Sequence, residues 1–166
     1  MTIIDGKKLR NEILEKVKKG VALLPFQPLF CDLLVGNDAA SVQYVQMKAK
    51  TAEAVGIKFH HANFPESIQT SELITELKKL NKLENMCGII IQLPLPMHID
   101  KQEVFDAIDP ELDVDCLGQI ASEKFYGGDA SLGYPTALAC LALLDSLNLD
   151  LDPSTKLGAS KKIVVL

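Results

Sequence analysis

Apolar positions recur along this chain with two alternating periods. Leu9, Ile13, Leu14 and Val17 fall at helical spacing, and Asp5 stands where a carboxylate can accept the first free backbone N–H groups. This pattern predicts a helix from about residue 6 to 23 with those four residues on its buried side, ended by Pro25 and Pro28. Residues 29–35 read as a continuous apolar run of strand length, the kind that is covered on both faces in a parallel sheet. A second helix follows over about 41–55 and closes at Gly56, which suits a C-terminal cap. Residues 57–64 read as a second strand. A helix over 71–83 puts Leu73, Ile74, Leu77 and Leu80 on one face. Residues 88–92 form a third strand, stopped by Pro94 and Pro96, which cannot continue a ladder. Asp100-Lys-Gln-Glu103 has the form of a capping box opening a short helix to about Ile108. Three strand–helix alternations predict an α/β fold, a three-layer sandwich with a mainly parallel sheet.

After Pro110 the periodicity loosens. Residues 111–134 read as loop, punctuated by Gly127, Gly128 and Gly133, and a last helix is expected from about Thr136 to Leu147. Lys161-Lys-Ile-Val-Val-Leu166 reads as the start of a strand. A free apolar strand end is an aggregation liability, so the expectation is that a second domain begins here and continues beyond Leu166.

Composition narrows the function. The 166 residues are 48% hydrophobic, enough for one domain with a real core. The net charge of −5 comes from acidic and basic residues that are interspersed, so no basic stripe marks a nucleic-acid surface. No apolar run approaches the roughly 20 residues that span a bilayer, and the N-terminus lacks a signal-peptide core. Cysteines 31, 87, 116 and 140 show no C-x-x-C spacing and read as small buried hydrophobes of a reduced, cytoplasmic protein. His60 and His61 point to opposite faces of a strand and cannot easily share a metal, so no metal site is expected.

Three groups converge on the carboxyl edge of the sheet, where ligands bind in open α/β folds. In the second helix Tyr44 and Lys48 stack one turn apart, with Cβ atoms about 5–6 Å from each other. The pair offers a flat amphipathic ring and a proton-exchanging amine, although by itself it reads equally as a solvated lysine beside a half-buried tyrosine. Gln92 ends an apolar strand, where its amide needs a partner, either a ligand or a loop backbone. The segment 109–115 carries four carboxylates within seven residues but lacks EF-hand spacing. Its last member, Asp115, suits a bidentate match to an amino-pyrimidine edge; the bland reading is an acidic surface turn.

Gly36-x-x-x-x-Ser41-x-x-Tyr44-x-x-x-Lys48, then Gly88-Ile-Ile-Ile-Gln-Leu-Pro-Leu-Pro96, then Ala107-Ile-Asp-Pro-Glu-x-Asp-Val-Asp115 resemble, in pattern and order, the bifunctional methylenetetrahydrofolate dehydrogenase/methenyltetrahydrofolate cyclohydrolase family. The resemblance covers about residues 1–150. It implies an enzyme of one-carbon metabolism that oxidises 5,10-methylenetetrahydrofolate and hydrolyses the methenyl product to 10-formyltetrahydrofolate. It implies Lys48 as the proton-transfer group, with Tyr44 packing on the folate and Gln92 orienting the lysine. Ser41, Leu93 and Pro94 join Tyr44 and Gln92 among the substrate contacts, and Asp115 holds the pterin. It implies a folate domain over 1–134, a linking helix over 135–150, and from 151 the start of a domain for NADP or NAD. The intact parent is implied to be a homodimer.

Three departures bear on this. Cys116 stands where the family usually has glycine, so a loop needing positive φ would be strained or altered. The turn into the linking helix is Tyr134-Pro-Thr-Ala rather than the family's form. No glycine-rich phosphate loop occurs in the 166 residues, so the nucleotide site is expected to lie elsewhere. Two other readings stay open: a folate-binding or interaction module without catalysis, and the N-terminal domain of a different dehydrogenase such as the shikimate or amino-acid types.

Overall fold

The computed structural model describes residues 5–129 and 133–147. The strand expected at 161–166 lies outside the described residues, as do positions 148–150 of the expected linking segment.

β1 (Leu29–Val35), β2 (Lys58–Phe64) and β3 (Met86–Ile91) form a parallel sheet in the order β2-β1-β3. The first strand is therefore central, and the chain passes from one side of it to the other between β2 and β3. Such a reversal opens a crevice beyond the carboxyl ends of β1 and β3, the usual ligand position in this architecture.

Two layers cover the sheet. Against one face, Cys31, Leu33 and Val35 of β1 and Ile89 and Ile91 of β3 pack on Leu73, Leu77 and Leu80 of α3 (Thr70–Leu80) and on Val104 of α4 (Lys101–Asp106). Both helices start with side-chain caps. Glu72 accepts the Gln69 N–H at 3.1 Å, and Asp100 accepts that of Glu103 at 3.1 Å. The second face carries α2 (Ala39–Ala54), with Val45 and Ala52 buried. It ends in the expected glycine cap: Gly56 adopts φ 90°, its N–H donates to Glu53, and the Ile57 N–H donates to Ala52.

Three expectations are corrected. The opening helix exists as α1 (Gly6–Ala22), capped by Asp5, but it buries no residue. Ile13 and Val17 are exposed, while Leu9 and Leu14 are half-buried. Leu14 and Val17 line one wall of an apolar groove of about 530 Å³ shared with Phe30, Met47 and Ile90, so the amphipathic face leans on α2 without closing over it. Residues 111–134 are not all loop, because Gln119–Tyr126 forms a helix, α5. Its start carries no Ser, Thr, Asp or Asn, which hid it. The caps come from a distance: Asp113 accepts the Gly118 N–H at 2.8 Å, and Asp106 accepts that of Gln119 at 2.7 Å. The last helix is α6 (Pro135–Asp145), with the Tyr134 hydroxyl 2.7 Å from that of Ser122. Of the cysteines, Cys31 and Cys116 are buried as expected, but Cys87 is exposed.

The acidic segment reaches the sheet because β3 lacks a side chain at Gly88. The Ile89 N–H donates to Leu112 at 2.8 Å, and Ile89 and Asp113 form an isolated parallel bridge. A Cβ on Gly88 would stand 2.6 Å from Val114 Cγ1 and 3.1 Å from the Phe30 ring. Gly88→Ala should therefore push Val114 away and cost about 1–3 kcal/mol, the usual penalty of overpacking. Leu77→Ala, at a position with 0% exposure, should cost about 2–5 kcal/mol through the cavity it leaves. Denaturant unfolding measures both, and a Gly88→Ala midpoint equal to wild type would contradict the close approach described here.

Candidate active site

The site is built on the first three turns of α2. Asp38 caps the helix by accepting the Ser41 N–H at 2.9 Å, and that bond holds its carboxyl below the usual carboxylate range. With the start fixed, Ser41, Tyr44 and Lys48 follow at helical spacing along one side. Ser41 is buried, the Tyr44 residue is 57% exposed, and the Lys48 side chain is 26% exposed. An aromatic ring left this open at the edge of a crevice is available to stack on a ligand.

Gln92 follows directly on β3, and its own N–H still donates to Leu33 at 2.8 Å. Its side chain bridges two neighbours. Gln92 Nε2 donates to the Leu93 carbonyl at 2.9 Å, which turns Oε1 toward α2, where it accepts from Lys48 Nζ at 2.8 Å. Leu93 thus contributes its carbonyl, with its side chain facing outward. Pro94 belongs to a neighbouring hollow of about 430 Å³, lined also by Gly36, Asp38, Glu66 and Pro96.

The four carboxylates of 109–115 separate by role. Asp109 accepts the Glu111 N–H at 3.0 Å, Glu111 pairs with Lys124, and Asp113 is buried and caps the approach to α5. Those three brace the loop. Asp115, half-buried, lies within electrostatic reach of Lys48. Burial pushes its carboxyl above the usual range, Lys48 opposes that rise, and Asp113 and Asp32 add to it. Next to it, Cys116 is buried with φ 54°, the left-handed conformation that glycine adopts freely. The loop therefore keeps that conformation despite the side chain, at a cost of about 1–2 kcal/mol.

One site residue escaped the sequence reading. The run 29–35 is not continuously apolar: Asp32 sits in the middle of the central strand with 0% exposure and forms an ion pair with Lys48. Burial raises its carboxyl above the usual range, while Lys48 and then His61 pull the other way. The signal was present in the sequence, since a charged residue inside a strand covered on both faces requires a partner.

A dinucleotide finds no cradle among these residues. Gly36 turns with φ 82° into the N-terminus of α2, the nearest match to a phosphate loop. Asp38 already occupies that terminus with its own negative charge, which would repel a pyrophosphate. The described residues do not fit the cofactor, so no step is derived through it.

What the arrangement can do is hold an ammonium or amine at a fixed point, beside an open aromatic face and a carboxylate, at the switch point of the sheet. Comparison with known proteins points to one family. The family model for the tetrahydrofolate dehydrogenase/cyclohydrolase catalytic domain matches residues 4–115. The bifunctional protein FolD of Nautilia profundicola is 38% identical over 154 residues, covering 91% of this chain and 54% of that protein. The FolD structure from Campylobacter jejuni superposes with a TM-score of 0.86 at 33% identity, over 90% of this chain and 55% of that one. The FolD of Trypanosoma brucei, solved with NADP cofactor and an inhibitor, gives a TM-score of 0.83 at 30% identity, over 89% of this chain and 52% of that one. The chain thus spans about half the length of these relatives. On this match, which includes Tyr44, Lys48, Gln92 and Asp115, the chain belongs to the tetrahydrofolate dehydrogenase/cyclohydrolase catalytic-domain family.

Proposed function

We propose that this chain forms the folate-binding, proton-transferring part of a bifunctional methylenetetrahydrofolate dehydrogenase and methenyltetrahydrofolate cyclohydrolase. The observation that carries the reading is the Lys48 Nζ–Gln92 Oε1 bond of 2.8 Å, which fixes the amine at the switch-point crevice within electrostatic reach of Asp115. In this reading residues 1–134 hold the folate, α6 begins the linking segment 135–150, and NADP is held by a second domain that begins at about residue 151. The resemblance further supports a cytoplasmic homodimer; among the described residues no helix is long and apolar enough to cross a membrane.

Each residue has a role that follows from its surroundings. The Asp115 carboxylate accepts the paired N–H donors of the pterin edge. Tyr44 covers the ring, Ser41 adds a polar contact beside it, and Leu93 closes the edge, with Pro94 in the adjoining hollow. Lys48 exchanges the proton in the hydrolytic half-reaction: water adds to the methenyl carbon and gives one proton to the amine, which returns it to N5 as the carbon–N5 bond breaks, while the remaining hydroxyl proton is lost to solvent and the formyl group stays on N10. Gln92 keeps the amine in register while this happens.

Two substitutions in the full-length protein separate chemistry from binding. Lys48→Met keeps the aliphatic stem and removes the proton carrier, so methenyl hydrolysis should be lost with folate affinity nearly unchanged. Turnover within a few-fold of wild type would remove Lys48 from that role. Asp115→Ala should weaken folate binding by about 1–3 kcal/mol, because the pterin donors lose their partner. Calorimetry showing equal affinity would exclude Asp115 as the pterin anchor.

A further inference from the structure

We propose that Asp32 is a second positioning residue for Lys48, an anion built into the central strand that pairs with the amine and aims it at the crevice. The inference rests on the reading of Lys48 as the proton carrier and adds to it a residue that acts from behind.

The geometry carries the argument. Asp32 has 0% exposure, and among the described residues neither carboxylate oxygen meets a backbone donor; its partner is the Lys48 ion pair. The neighbouring β1 residues Cys31, Leu33, Leu34 and Val35 are buried and apolar, so packing alone would favour another hydrophobe at this position. Placing a lone carboxylate there costs several kcal/mol before pairing, and a salt bridge seldom returns all of it. Fold stability therefore gives no reason for Asp32, whereas the site gives one. Lys48 lies between two acceptors on different strands, Asp32 of β1 and Gln92 after β3. An ammonium has three N–H donors. Two are taken by these acceptors, which leaves the third for a ligand in the crevice.

The charges that face this pair are few. His61, the register partner of Asp32 on β2, approaches from the exposed side, and Asp113 and Asp115 approach from the loop after α4. Arg10 of α1 lines the groove that Lys48 also borders. Gln92 is neutral. Of the anions among the described residues, Asp32 is the one in direct contact with the amine, so its removal changes the placing of that amine more than the loss of any other anion does.

Asp32→Asn keeps the shape and removes the charge; Asp32→Val replaces it with a residue suited to the strand. Both are made in the full-length protein, and two readouts are compared. The first is trace acetylation of the ligand-free protein, read as the ratio of Lys48 to the exposed Lys50 of the same helix. In both variants the ratio should rise several-fold at mildly alkaline pH, because Lys48 loses the buried partner that ties its amine down. The second is methenyl hydrolysis across pH. Here kcat should fall roughly tenfold or more across the profile with KM nearly unchanged, because the proton carrier is no longer held in register. If the wild-type protein shows no hydrolysis, the functional reading fails, yet the labelling ratio still decides the role of Asp32. Labelling and pH profile both equal to wild type in either folded variant would overturn the proposal.

Discussion

Everything at the candidate site depends on where one amine is held. Lys48 leaves α2 and meets Gln92 Oε1 at 2.8 Å on one side and the Asp32 carboxylate on the other, so a helix is tied to two adjacent parallel strands by one side chain. Neither contact is available to a lysine on a fraying helix. The Asp38 cap at one end of α2 and the Gly56 cap at the other set its length and phase. The strand order β2-β1-β3 then places its first turns over the crevice between β1 and β3.

The energetic balance explains why such a lysine is useful. Half-exposed surface lysines form ion pairs worth little, about 0–1 kcal/mol. Here the partner is fully buried, and burial raises the Asp32 and Asp115 carboxyls while Lys48 counters both. Two carboxylates and one amine thus form a coupled set in which moving one proton alters the energies of the rest. The folded state binds protons on Asp32 and Asp115 more tightly than the unfolded chain does. Their contribution to stability is therefore complete below the ordinary carboxylate range and is lost as pH rises through the raised values. At neutral pH the site is thus maintained at a cost in stability, the pattern expected where chemistry rather than folding sets the residue.

Sequence patterning recovers most of this framework, and the failures are local. Long periodic segments such as α2 and α3 are readable because caps and apolar spacing agree. α5 is missed because its caps, Asp113 and Asp106, lie five and thirteen residues away from the N–H groups they accept. The exposure of Ile13 and Val17 is missed because periodicity shows which face of a helix is apolar, not whether anything covers it. Tyr44, Lys48, Gln92 and Asp115 are legible as motif positions, and the structure brings Lys48 onto Gln92 and within reach of Asp115. Asp32 is hidden by its neighbours: averaged over a strand, one carboxylate among aliphatic residues looks like core. Pro94, grouped with the lysine in the sequence, lies in the adjoining hollow, because the chain turns outward after Leu93.

The most direct test of this account is a crystal structure of the full-length protein with a bound tetrahydrofolate analogue. The account predicts the pterin edge on the Asp115 carboxylate, the ring against Tyr44, and the one-carbon bridge beside Lys48 Nζ, with the Gln92 contact retained. An analogue ordered instead in the apolar groove between α1 and α2, with Asp115 and Tyr44 untouched, would contradict it.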